Sequence, residues 1–75
     1  MKKEIPIVRI FGKLVETLGD KWVFDVFVTD KNLDTYKIEW ETEKGVDTTD
    51  EGVKKEIQVK FLLHRDEFEK VDSKN

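Results

Sequence analysis

Cysteine is absent from the chain, which excludes disulfides, thiolate metal sites and cysteine nucleophiles together. Alanine, the best helix former, is missing as well, and proline occurs once, at Pro6. Histidine and serine are reduced to one each, His64 and Ser73. A Ser-His-acid relay would have to use a serine in a polar, fraying end, so nucleophilic hydrolysis is not expected. His64 beside Arg65 and Asp66 could act as a base held by a carboxylate. No second catalytic group stands near it in the sequence, and a strand-end surface histidine is the plainer reading.

Long apolar runs are also lacking. The start, Met1 to Pro6, is positively charged, but the apolar stretch after it is interrupted by Arg9, Gly12 and Lys13. That is too short and too broken for a signal peptide or a membrane span, so a cytoplasmic location without a membrane partner is expected. The four glycines, Gly12, Gly19, Gly45 and Gly52, stand apart from one another, which excludes a phosphate-cradling loop and fits bends and turns.

What is present is charge and branched or aromatic side chains. Charged residues make up 41% of the 75 residues and the hydrophobic set 37%, the profile of one small folded domain spanning 1–75, with 72–75 expected to fray. An apolar inventory of Val, Ile, Leu, Phe, Trp and Tyr favours strands. Four stretches carry that signal. Ile5 to Glu16 has apolar residues on both faces, with Gly12 expected to mark a bulge or sharp bend. Lys21 to Asp30 puts Trp22, Phe24, Val26 and Val28 on one face. Thr35 to Glu43 sets Tyr36, Ile38 and Trp40 against Lys37, Glu39 and Glu41. Val53 to His64 alternates Ile57, Val59, Phe61 and Leu63 with Glu56, Gln58, Lys60 and Leu62, and is expected to be the last strand.

Between these, Glu43 to Gly52 reads as a mobile polar connection. Arg65 to Asn75 has room for one or two helical turns, with Asp66 as cap and Phe68 and Val71 sharing a face. Short connections favour antiparallel pairing. The expected fold is mainly all-β, a four- to five-stranded antiparallel meander or small open barrel, with a short C-terminal helical turn. A flat sheet apolar on one side only would leave Phe11, Val15 and Phe27 in water at about 1.5–3 kcal/mol each in forgone burial. Barrel closure or a homodimer is therefore expected.

No cofactor and no metal site is expected. Asp47, Asp50 and Glu51 lack the alternate spacing and closing glutamate of a calcium loop. Function is then sought at the surface. Between Glu39 and Gly52 six acids face only Lys44, a local balance of minus five in a chain of net charge −3. Glu39, Glu41, Glu43, Asp47, Asp50 and Glu51, with Trp40 as an anchor, form the expected contact surface of a non-catalytic adaptor for another protein. Two alternatives stand beside it. One is an acidic mimic that inhibits a nucleic-acid-binding protein. The other is a small barrel that binds single-stranded nucleic acid by stacking bases on Phe11 and Phe27 among Lys54, Lys55 and Lys60, a reading that the acidic pI of about 5.1 opposes.

Overall fold

The computed structural model describes residues 7–72. It contains strands β1 (Ile7–Leu18), β2 (Lys21–Asp30) and β3 (Thr35–Glu43), helix α1 (Glu51–Leu63), a 3-10 turn (Arg65–Glu67) and strand β4 (Glu69–Asp72). The strands form one open antiparallel sheet in the order β1-β2-β3-β4. The fold is thus mainly β, as composition implies. The sheet does not close into a barrel, because a helix covers one of its faces.

The first three strands follow from short turns and alternation. Leu18 pairs with Lys21 across a two-residue turn, where Gly19 adopts φ +59°, a conformation that costs a residue without a Cβ nothing. The turn between β2 and β3 is organised by Asp30, whose Oδ1 accepts the backbone N–H groups of Asn32 (2.9 Å) and Asp34 (3.0 Å). At its tip Leu33 sits at φ +68° with 65% of its surface exposed. A leucine in this region is strained by roughly 1–2 kcal/mol. Leu33→Gly should therefore raise stability by up to about 1 kcal/mol, read as a higher urea midpoint with unchanged slope; a lower midpoint would show that the Leu33 side chain makes contacts worth more than the strain.

Cross-strand pairing sorts the side chains into two faces. Phe24 pairs with Trp40, Val26 with Ile38 and Val28 with Tyr36 on one side of β2, while Leu14, Gly12 and Ile10 pair with the same three residues on the other. This face meets Val53, Ile57 and Phe61 of α1 and Phe68 after the 3-10 turn, forming the buried core. Bulges insert Val8 and Val15 as extra residues in β1, so the face of each residue cannot be counted through them. They lie either side of Gly12 rather than at it. Gly12 has another role: a Cβ there would collide with Oγ1 of Thr48 and lie within 2.9 Å of its Cγ2. The missing side chain lets the buried Thr48 seat on the sheet.

Two expected elements are corrected. The stretch expected as the last strand, Val53 to His64, is helical through Leu63, with His64 as its C-cap. Asp50 caps the helix, its Oδ2 accepting from the N–H groups of Gly52 (3.0 Å) and Val53 (3.2 Å). Glu51 in the first turn and Lys60 in the last complement the helix dipole. Val53, Ile57 and Phe61, four residues apart, make one narrow buried stripe. Val59 and Leu63, which a strand would place beside Phe61, are exposed. The tail is the second correction. Arg65–Glu67 makes a single 3-10 turn without a side-chain cap, and Glu69–Asp72 then pairs with β3. Phe68 is buried while Val71, an extra residue at a bulge, is exposed. Of the residues expected to fray, Asp72 instead pairs with Thr35 at the end of β4, and 73–75 lie outside the described residues.

The polar connection before the helix is laced rather than loose. Thr42 Oγ1 donates to the Val46 carbonyl (2.7 Å), the Val46 N–H to the Glu43 carbonyl, and the Thr48 N–H to Asp47 Oδ1 (2.7 Å). Among the described residues no helix is long and apolar enough to cross a membrane.

Candidate functional site: the uncovered sheet face

The face of the sheet away from α1 is built from the other half of each strand's alternation. Its rows, read across β1, β2 and β3, are Arg9–Thr29–Thr35, Phe11–Phe27–Lys37, Lys13–Asp25–Glu39 and Glu16–Val23–Glu41. Phe11 is 48% exposed, and its ring lies 6.3 Å from that of Phe27 at an interplanar angle of 32°. The Arg9 guanidinium stands 5.7 Å over the Phe11 ring, a favourable cation–π distance. Thr29 and Thr35 hydrogen-bond across the strands at 3.2 Å. Val23 is buried on this side, apart from the core under the helix.

The face is polarised along the strands. One end holds Arg9, Lys37 and the aromatic pair. The other holds Glu16, Asp25, Glu39, Glu41 and Glu43, countered by Lys13 and by Lys21, which reaches Glu41 at 4.0 Å. An exposed pair that long adds little stability, so Glu41 keeps most of its field for solvent or a partner.

Of the residues expected to form the acidic contact surface, Glu39, Glu41 and Glu43 share this face and are exposed. Trp40 lies on the opposite side, half-buried against the core. Asp47 and Asp50 are occupied locally: Asp47 binds the Thr48 N–H and the Thr49 hydroxyl (3.2 Å), and Asp50 caps the helix. Glu51 begins the helix, exposed. The acidic set is therefore two groups, one on the sheet and one holding a loop.

The nucleic-acid set divides in the same way. Phe11 and Phe27 meet on the uncovered face, whereas Lys54, Lys55 and Lys60 belong to α1 on the other side of the sheet. Lys60 pairs with Glu67 at 2.8 Å, and that bond, with the ammonium charge, holds the Glu67 carboxyl below the ordinary glutamate range. Phe11 and Phe27 thus share a face with the acids rather than with the helix lysines. The cross-strand rows carry that grouping, and counting by twos through the bulges in β1 obscures it.

His64 ends α1, its backbone N–H donating to the Lys60 carbonyl at 2.7 Å. Beside it an open depression of about 630 Å3 runs along the outer side of the helix, lined by Lys55, Val59, Lys60 and Leu63 among others. Its lining brings no hydroxyl or thiol to the imidazole. Among the described residues no three His, Asp or Glu side chains converge as metal ligands.

One buried charge was not legible in the sequence. The Asp30 side chain is 4% exposed, and its Oδ2 accepts from Arg65 Nη2 at 3.0 Å. The Arg65 guanidinium lies 4.5 Å over the Phe61 ring and 5.1 Å over that of Tyr36. The pair joins the end of β2 to the chain leaving α1, and both carboxylate oxygens are engaged within the fold. Comparison with known protein families, curated proteins and solved structures finds no match to this chain.

Proposed function

We propose that the chain is a non-catalytic binding domain that docks another protein on the uncovered sheet face. One observation carries the reading: among the described residues α1 buries only one side of the sheet, and the other presents the exposed Phe11 against a half-buried Phe27, beside an acidic row that Lys13 and Lys21 offset only in part. Sheets in monomeric domains keep a wet face polar, so an aromatic pair left there is a cost that a partner can remove. The chemistry of that partner is set by the two halves of the surface. Apolar side chains would cover Phe11 and Phe27, and lysines or arginines would meet Glu39, Glu41 and Glu43, steering the encounter and fixing its orientation. The six-acid surface expected from the sequence is thereby narrowed to the three on β3, with Phe11 replacing Trp40 as anchor.

The test compares two variants for capture of a partner from lysate treated with nuclease. Glu39, Glu41 and Glu43 changed together to lysine should abolish capture. Phe11→Ser with Phe27→Ser should weaken it by about 30-fold or more, the loss of a hot spot worth roughly 2 kcal/mol. Both variants should unfold within a few degrees of the parent. Capture unaltered in both would remove the reading. Recovery of nucleic acid alone, with tryptophan fluorescence quenched by oligonucleotides and affinity falling steeply with salt, would replace it by the single-strand-binding alternative.

A further inference from the structure

The two edges of the sheet are unequal. β4 closes one edge with four residues, whereas β1, twelve residues long, has no neighbour on its outer side among the described residues. A free edge of this length presents a row of unpaired N–H and C=O groups, and natural sheets usually shorten or cover such strands. Half of the large exposed apolar side chains among the described residues lie on β1: Val8, Phe11, Leu14, Val15 and Leu18. They occupy both sides of the strand, Phe11 facing away from the helix and Leu14 toward it. A flat ligand covers one side only; a neighbouring strand covers both. The bulges at Val8 and Val15 flank the regular stretch Arg9 to Leu14 and leave it whole.

We propose that β1 pairs antiparallel with β1 of a second copy of this chain, about a two-fold axis at Gly12, to give a continuous eight-stranded sheet. The register follows from charge and alternation. Centred on Gly12, Ile10 stands opposite Leu14 of the second copy on the helix side, and Phe11 opposite its Lys13 on the other, an aliphatic pair and a cation–π pair. A slip of one residue sets core-side residues against outward ones. Recentring on Phe11 sets Arg9 against Lys13, and recentring on Lys13 sets that lysine against itself. Glycine on the axis lets the two backbones meet without a side chain between them.

The free edge also has a place for the incoming side chain. A groove of about 310 Å3 runs beside it, lined by Ile7, Val8, Arg9 and Ile10 of β1 and by Lys54 and Gln58 of α1. Leu14 of the second copy, opposite Ile10, points into this groove. The contact is isologous, so both grooves fill at once and the assembly stops at two. Each copy keeps its own uncovered face on the same side of the joined sheet.

Sedimentation over a concentration series should show a mass twice that of the 8.9-kDa chain. A nitroxide on Lys13→Cys should give a spectrum broadened by its twin across the axis. The same label on Lys37→Cys, two strands further in, should stay sharp, whereas sheets stacked face to face would broaden it. Leu14→Lys, a change at an exposed position, should return the monomer mass with an unchanged circular dichroism spectrum. A monomer at every concentration, or a dimer with sharp Lys13 labels or broadened Lys37 labels, overturns the proposal.

Discussion

Phe61→Ala is expected to lower the melting temperature by at least about 12 °C. Phe61 is 1% exposed and stands where α1, β3 and the chain leading to β4 converge. Its ring meets Tyr36 at 5.4 Å and Phe68 at 5.1 Å, both edge to face, and Arg65 lies above it. Truncating a buried phenylalanine costs roughly 3–5 kcal/mol. A chain of 75 residues has only about 4–11 kcal/mol to lose, and each kcal/mol shifts the midpoint by roughly 4–8 °C. Leu63→Ala serves as the control. On a strand Leu63 would share the face of Phe61 and matter comparably; on the helix it is 70% exposed, and its loss should stay within about 0.5 kcal/mol. Equal losses at the two positions would disprove the helix.

The second large effect concerns the buried carboxylate. Asp30→Ala should cost about 2–4 kcal/mol by urea unfolding. It removes two hydrogen bonds that shape the β2–β3 turn and the ion pair to Arg65, and hydrogen bonds to a charged group are worth roughly 1.5–3 kcal/mol each. A value below the plain sum of about 4.5–9 kcal/mol is appropriate because bonds sharing one carboxylate do not add independently and because Arg65 is 47% exposed, so its side of the pair is screened. Asp30→Asn separates the contributions. Its amide oxygen can still accept the Asn32 and Asp34 N–H groups, so the turn survives and about 1 kcal/mol should be lost. Were Asn as damaging as Ala, the negative charge facing Arg65, and not the shape of the turn, would be what Asp30 contributes to stability.

The first three strands are readable from their runs of branched and aromatic residues and from the turns between them. Tyr36 to Trp40 alternates cleanly, Trp22 to Val28 is a nearly continuous branched and aromatic run, and Gly19-Asp20 and the Asp30 to Asp34 segment interrupt them. Residues 53–64 carried two patterns at once. Ile57 and Phe61 satisfy a period of two and a spacing of four equally, and β-branched Val53, Ile57 and Val59 tipped the balance toward a strand. The deciding signs were Asp50 as cap, Glu51 behind it and Val53 as the first member of the stripe. Local propensity gave way because the meander needed its apolar face covered, and a helix carrying Val53, Ile57 and Phe61 at one-turn spacing covers it. The acidic row on β3 was legible, since Glu39, Glu41 and Glu43 simply alternate. Its pairing with Phe11 and Phe27 was not, because bulges shift β1, and no local pattern joins Asp30 to Arg65, which are 35 residues apart.

The fit of Thr48 against Gly12 ties two distant positions into one inherited unit. A side chain at position 12 has nowhere to go while Thr48 keeps its branched β-carbon, 2.8 Å from where the new atom would lie. Smaller residues at 48 open that space, yet leave a void on the sheet if position 12 remains glycine. In a lineage of such domains the two sites should change together or not at all, and a drift at position 12 would have to wait for an earlier reduction at 48.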